Sequence, residues 1–353
     1  MGIWENSLTD FATGFIIKPI YVKGIPMIEK IYVYESTGFD PYRNLATEKY
    51  LLDSVQPGQC VLYLWQNQNT VVIGRNQNAW AECRTTLLDA EGGHLARRLS
   101  GGGAVFHDTG NLNFTFLVPT EDYDVDRQLS VIQEACRLAG IRAEKSGRND
   151  LLAGERKFSG NAFYHKGGHS YHHGTLMVEV DKDKLSRYLS PPKAKLEAKG
   201  VASVRSRVVN LSELSPGLTC QDMKALMVQA FQTVYGHTAT PVVLSMAAQA
   251  QIRRTAALYD SWDYLYGAPL SFSFQCEERF PWGGVQLQLE AKGGVITAAK
   301  VYSDAMDWEL APKLEEALTG CAFRLDAMTR AVRSKLPAEA ASDICSMLQK
   351  QDI

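Results

Sequence analysis

The sequence predicts an α+β protein, in which a strand-rich unit precedes a smaller α+β unit. Three observations carry that prediction. Strand-like runs bounded by glycine, asparagine and glutamine dominate the first half, and two long helical patterns follow near 221–235 and 244–259. Past a change of character at 260–267 (Asp-Ser-Trp-Asp-Tyr-Leu-Tyr-Gly), three strand-like runs are succeeded by three helical ones. At 353 residues the chain exceeds what one core ordinarily serves, so the expected division is an N-terminal extension of 1–26, a large unit of 27–262 and a second of 263–353.

Taken in order, Ile31 to Glu35 reads as a strand and Asn44 to Val55 as an amphipathic helix with Pro41 near its start. Cys60–Trp65 and Thr70–Gly74 are β-branched or aromatic runs joined by Gln66-Asn67-Gln68-Asn69, which reads as a hairpin. A helix carrying Trp80, Cys83, Leu87 and Leu88 is expected next, then a strand from His94 to Leu99 and one or two strands from Ala104 to Val118. Residues 126–139 are helical by spacing and stop at Gly140. Glycine turns at Gly154 and Gly167-Gly168 mark further hairpins through Val180. A Lys-rich loop (Lys193, Lys195, Lys199) and the two long helices follow, and 260–267 reads as a linker. The second unit is expected to hold strands at 271–275, 284–290 and 295–302 and helices at 308–318, 325–335 and 338–350.

Composition narrows the function. Hydrophobic residues make up 45% and charged residues 22%, ordinary for a globular domain, and a net charge of −2 argues against a general nucleic-acid binder. Seven cysteines without CxxC spacing fit reduced thiols and a cytoplasmic setting. The apolar run Phe11–Ile25 is interrupted by Lys18, Pro19, Lys23 and Gly24, too short and too charged to span a bilayer, so no membrane partner is expected. The first 26 residues lack arginine and nearly lack serine, which argues against a mitochondrial address.

Chemistry concentrates in Arg97-Arg98-Leu99-Ser100-Gly101-Gly102-Gly103-Ala104-Val105-Phe106-His107-Asp108-Thr109-Gly110-Asn111. Two cations entering three glycines can form an anion cradle of backbone N–H groups, or simply a tight connection between strands. A Lys-Ser/Thr pair does not follow, so it is not a P-loop, and it lacks the GxGxxG spacing of a dinucleotide turn. In Arg156-Lys157-Phe158-Ser159-Gly160, strand alternation puts Lys157 and Ser159 on one face and Arg156 and Phe158 on the other. Lys157 is either a solvated surface residue or a point charge aimed at phosphate and carboxylate. Asn149-Asp150 can serve a ribose hydroxyl or magnesium, or only the turn after Gly147-Arg148. His165, His169, His172 and His173 lack the helical spacing of a zinc site, so no zinc is expected. No cysteine lies between Lys157 and Thr219, which argues against a thiol nucleophile beside the lysine.

Gly74-Arg75-Asn76-Gln77-Asn78, the glycine stretch, Gly147–Leu151, Arg156–Ala162, His172-His173-Gly174-Thr175-Leu176 and Leu196–Val208 resemble, in order, the signatures of the bacterial lipoate-protein ligase A family. Glu278–Val285 is similar to that family's accessory domain, so the resemblance covers residues 27 to about 353. It implies a mixed-sheet catalytic domain of the biotin/lipoate ligase type with a small α+β C-terminal accessory domain. The implied reaction is two-step: lipoate and ATP give lipoyl-AMP and pyrophosphate, and the lipoyl group then passes to a lysine of apo lipoyl domains, on E2 subunits of 2-oxoacid dehydrogenases or on H protein, by a monomeric enzyme. Carried onto this chain, Lys157 is the catalytic residue, touching both the α-phosphate and the acyl carbonyl. Arg98 and the Gly103–Phe106 backbone (Gly103, Ala104, Val105, Phe106) hold ATP, with Ser100, Gly101 and Gly102 closing on phosphate. Asn149 and Asp150 lie near nucleotide and Mg2+, with Asp150 the metal ligand, and the same motifs bring His107, Ser159, Gly160, His173 and Gly174 to the binding site. The runners-up are an ATP-independent octanoyl or lipoyl transferase and a non-catalytic lipoate or nucleotide sensor; biotin ligases share the fold with a different basic glycine loop. The position of Tyr164, basic in some members, is aromatic here.

Overall fold

The computed structural model describes residues 28–147, 150–189, 208–267 and 274–351. The extension 1–26, Asn149, the Lys-rich loop and the motif Leu196–Arg207 lie outside the described residues.

Eight strands form the main sheet, in the order β11-β1-β2-β6-β10-β9-β8-β7. They are β1 (Lys30–Glu35), β2 (Gln59–Trp65), β6 (Asn111–Pro119), β7 (Glu144–Ser146), β8 (Asp150–Ala153), β9 (Arg156–Lys166), β10 (His169–Met177) and β11 (Thr240–Pro241). The β1 strand pairs in parallel with β2 and β11, and the remaining pairs are antiparallel. Strands β2 and β6 are buried on both faces, which explains their nearly unbroken apolar sequences. Leu62, Leu64, Phe114 and Phe116 meet Ile132 of α4 (Val125–Leu138) and Phe231 of α6 (Cys220–Tyr235) on one face. Val61, Tyr63, Trp65 and Tyr171 meet Leu45 and Leu52 of α1 (Pro41–Ser54) and Ile252 of α7 (Met246–Tyr259) on the other.

Local chemistry sets the helix ends. Asp40 accepts from the backbone N–H groups of Tyr42 and Arg43, and Pro41 opens α1. Thr219 and Asp222 form a reciprocal capping box at the start of α6, which ends at Gly236 with φ +72°.

A second sheet, β4-β3-β5, lies beside the first, built from β3 (Thr70–Ile73), β4 (His94–Arg97) and β5 (Val105–His107). The expected hairpin of Cys60–Trp65 with Thr70–Gly74 does not form, because β2 and β3 belong to different sheets. Their connection is drawn inward: Asn67 is fully buried, and Asn44 of α1 donates to the Gln66 carbonyl (2.8 Å) and Asn67 Oδ1 (3.0 Å). The expected single helix through Trp80 and Leu88 is two, α2 (Ala79–Glu82) and α3 (Thr85–Ala90). It breaks where Cys83 bridges Leu189 and the Arg84 N–H donates to Tyr188 O, at the end of α5 (Lys182–Tyr188).

The segment read as a linker contains a short helix, α8 (Trp262–Tyr266). Arg97 donates to the carbonyls of Tyr264 and Leu265, and Leu265 is buried with Val71, Ile73 and Phe106. By its packing this stretch belongs to the first unit, although the sequence division at 262/263 assigned it to the second. The remaining chain forms the antiparallel sheet β12-β13-β14 (Phe274–Phe280, Gly283–Lys292, Val295–Ser303) under α9 (Leu310–Leu318), α10 (Leu325–Lys335) and α11 (Ala338–Gln349), with its own core around Leu287, Leu314, Met328 and Ile344. Its first strand sits further along than the expected 271–275. Charged Glu277, Glu278 and Arg279 mask the alternation of Phe274, Cys276 and Phe280, and 271–273 lie outside the described residues. No helix among the described residues is long and apolar enough to cross a membrane.

Candidate active site

A cleft of about 460 Å3 opens between the two sheets of the first unit and the accessory segment. Its lining includes Arg98, Gly102, Gly103, Ala104, Val105 and His107 from the glycine stretch, and Asp150, Lys157, Gly160, His173 and Gly174 from the second basic region. Arg279, Trp282, Asp304 and Met306 close it from the accessory side.

The glycine loop is held by arginines rather than fringed by them. Arg98, buried, donates from Nε to Ser100 Oγ (3.1 Å), from Nη1 to Val72 O (3.1 Å), and from Nη2 to Gly101 O (2.8 Å) and Gly103 O (2.7 Å). The resemblance put Arg98 on the nucleotide; here its side chain lines the cleft while four of its five N–H groups bond the loop and Val72 O of β3. Arg97 does the same for the preceding turn, donating to Gly74 O, Arg75 O and Gln77 O. Burial pulls both guanidinium groups down to about 10.

Each glycine of the triplet has its own reason. A Cβ on Gly101 would stand 2.2 Å from Ala305 O and 2.6 Å from Met306 O, so the loop and the accessory segment touch backbone to backbone. Gly102 has φ +89° and donates its N–H to Ala305 O (3.0 Å). Beside Gly103 the space is open, leaving it as the point of the loop that a ligand can approach.

Ser100 is fully buried and outside the cleft lining, bonded to His173 Nε2 (2.8 Å). His173 Nδ1 lies 2.8 Å from Glu48 Oε1, which also accepts from Thr115 Oγ1 (2.7 Å), itself an acceptor for Trp65 Nε1 (3.1 Å). A chain of polar groups thus runs from the floor of the sheet to the back of the glycine loop. Sequence reading missed Glu48 and Thr115. Their signal was a carboxylate inside the buried stripe Asn44-Leu45-Thr47-Glu48-Leu51 of α1, and polar Asn113 and Thr115 alternating within the apolar run of β6.

Lys157 reaches the cleft by a slip in strand register. Leu151 pairs with Ser159 but Leu152 pairs with Lys157, so Phe158 is an extra residue. Phe158 joins the core under α4, and Ser159 is 1% exposed and not in the lining. The expectation that Lys157 and Ser159 share a face is therefore corrected: only Lys157 turns into the cleft. Its ammonium is 2.6 Å from Asp150 Oδ1 and 3.1 Å from where a Cβ on Gly160 would sit. Phe106, whose backbone the resemblance put on ATP, packs its side chain on Tyr188 with ring centroids 5.4 Å apart, whereas its neighbour Val105 lines the cleft.

The other histidines have separate partners. His172 bonds Asn161 Oδ1 (2.8 Å) among Phe114, Phe116 and Phe163, His165 bonds Ser170 Oγ (2.8 Å), and His169 bonds Gly167 O (3.1 Å). Among the described residues no three His, Cys, Asp or Glu side chains converge as a metal group. All seven cysteines are free thiols, and none lines the cleft; burial pushes Cys60, Cys83 and Cys136 up to about 12. Tyr164 is buried, stacked between Tyr171 (5.1 Å) and Trp308 (5.0 Å).

Comparison with known proteins matches residues 40–232 to the lipoyl protein ligase A/B catalytic domain and residues 270–347 to the bacterial lipoate protein ligase C-terminus. A lipoate-protein ligase A of Bdellovibrio bacteriovorus is 42% identical over 314 residues, spanning 87% of this chain and 93% of that one. The crystal structure of P. falciparum LipL1 in complex with lipoate superposes with a TM-score of 0.79 at 25% identity, covering 91% of this chain and 99% of that one. The bi-partite lipoate protein ligase of Thermoplasma acidophilum, solved with its E2 lipoyl domain, gives a TM-score of 0.62 at 25% identity, covering 70% and 100%.

Proposed function

The chain belongs to the lipoate-protein ligase family, and from that premise we propose that its cleft condenses free lipoate with ATP to lipoyl-AMP and passes the lipoyl group to the ε-amine of a lysine on apo lipoyl domains of E2 subunits and of H protein. The observation that carries this reading is one cleft in which a lysine ammonium, an open glycine backbone and an apolar wall of Leu45, Trp65, Val72 and Val105 meet.

A carboxylate does not acylate an amine unaided, because its oxygen is a poor leaving group. In the first step a lipoate carboxylate oxygen attacks the α-phosphorus, and the bond from phosphorus to its bridging oxygen breaks as pyrophosphate departs. Charge builds on the phosphoryl oxygens, so catalysis rests on positioning and preorganised donors. The Lys157 ammonium, oriented across Gly160 by Asp150, faces that charge; the open backbone at Gly103 receives the phosphate. In the second step the acceptor amine attacks the acyl carbon, the amide C–N bond forms, and AMP leaves with the C–O electron pair while the amine proton passes to water. Lys157 then polarises the acyl carbonyl.

Magnesium enters with the nucleotide. The fold offers no cage of its own among the described residues, and Asp150 is suited to act as a single protein carboxylate on an ion held mainly by phosphates. The enzyme works as a cytoplasmic monomer in this reading. The test is incubation with ATP, magnesium, lipoate and an apo lipoyl domain: the acceptor gains one lipoyl mass only when ATP is present. Transfer from an octanoyl carrier protein without ATP, with none from lipoate and ATP, would overturn the proposal in favour of a transferase.

A further inference from the structure

At the end of the cleft away from Lys157, two buried hydrogen-bond donors have no partner among the described residues. Asn44 Nδ2 donates to Gln66 O (2.8 Å), which fixes the orientation of that amide, and it also donates to Asn67 Oδ1 (3.0 Å). Asn67 therefore presents Nδ2 to His107 Nδ1, 3.2 Å away. His107 Nδ1 accepts, so the ring proton sits on Nε2. Burial, with Arg98 and His173 nearby, pushes His107 down to about 3, so the ring is neutral and carries that one N–H. Nε2 is buried without a partner, and so is Nδ2 of Asn113, whose Oδ1 is taken by Asn111 (2.9 Å). Both residues line the cleft beside Trp65 and Val72.

The sheet fixes where these donors stand relative to the chemistry. Gly160, over which Lys157 lies, donates to Thr175 Oγ1 (3.3 Å) on β10; Thr175 pairs with Asn113 on β6, and Asn113 with Trp65 on β2. Two strand spacings, about 10 Å, separate Gly160 from Asn113. That is the reach of an extended acyl chain whose carboxyl end lies at Lys157. Among the described residues a second carboxylate at the far end would meet only Arg98, most of whose donors already bond the loop and Val72 O. A hydrocarbon end would leave both N–H groups unsatisfied.

We propose that His107 Nε2–H and Asn113 Nδ2–H are specificity-determining donors that receive the weakly accepting ring sulfurs of lipoate, so that the cleft selects a dithiolane-tipped acid over a hydrocarbon-tipped acid of the same length and shape. The proposal rests on the ligase reading above. It assigns the preference to hydrogen bonding and not to pocket volume.

The experiment compares kcat/KM for pyrophosphate release with lipoate, with 5-cyclopentylpentanoate, which replaces the dithiolane by a carbocycle, and with octanoate. The wild-type enzyme is expected to prefer lipoate to the carbocycle by about tenfold or more. In His107→Phe and in Asn113→Leu the lipoate-to-carbocycle ratio is expected to fall to within about threefold of unity. Equal use of lipoate and carbocycle by the wild type overturns the proposal whether or not the variants fold. So does an unchanged ratio in a variant that retains a cooperative melt. Absence of pyrophosphate release from wild-type enzyme with all three acids would instead overturn the ligase reading.

Discussion

Acidification from pH 7 to pH 5 is expected to weaken the fold by about 4 kcal/mol through two buried histidines. His107 and His172 are both buried and held down to about 3, chiefly by burial, with Arg98 and His173 adding to His107 and His173 and Lys145 to His172. An unfolded histidine titrates near 6.5. Between these values the unfolded chain binds protons that the native chain refuses, so stability is fully present above 6.5 and is lost as the pH falls toward 3. Each site costs about 2 kcal/mol over the two pH units from 7 to 5. Urea unfolding followed by tryptophan fluorescence at both pH values, at fixed ionic strength, measures the sum. His172→Phe removes one site along with its bond to Asn161, so the variant is weaker at pH 7 but loses only about 2 kcal/mol on acidification. A loss below about 1 kcal/mol in the wild type, or an undiminished loss in the variant, would refute the reasoning.

Three further outcomes test the site. Lys157→Ala is expected to lower pyrophosphate release by at least about 100-fold while shifting stability by less than about 1 kcal/mol, because the side chain is partly exposed and packs against no core; kinetics and urea melts read the two effects separately. Gly101→Ala drives a methyl group into the Ala305 and Met306 carbonyls and is expected to detach the accessory segment from the loop, seen as faster hydrogen exchange at the Gly102 amide. Glu48→Gln keeps the shape but removes the charge that His173 and Thr115 face. It is expected to cost about 1–3 kcal/mol and to slow pyrophosphate release as Ser100 loses its anchored partner, and a thermal melt alongside the assay checks both.

Periodicity revealed elements whose signal is local. Pro41 near the start of α1 and the glycine stop at Gly140 mark ends that the fold respects. Pairing was legible only where a tight turn dictates it, as at Gly154, and not where Asn44 reaches from another element to bury Asn67. The same limit governs the site. Lys157 and the glycine triplet announce themselves by composition, and the motifs identify the family. Arg98 looks like an anion ligand in sequence, because the carbonyls that absorb its donors are invisible there. Glu48, Thr115 and Asn113 are polar residues in apolar runs, and only the fold shows that they converge on His173 and the cleft.

The slipped pair at Leu151 and Leu152 makes the orientation of Lys157 a matter of odd and even. Each residue added to or taken from a strand reverses which way all later side chains point, and Phe158 is the residue that sets this count. Replacing Phe158 by another apolar side chain therefore disturbs packing and leaves the lysine aimed at the cleft. Inserting a residue opposite it, between Leu151 and Leu152, would pair Phe158 and straighten the ladder, turning the ammonium to the face that buries Ser159 with every chemical group of the site intact. Here the one-residue difference between the two strands is as much a part of the cleft as the amine it delivers.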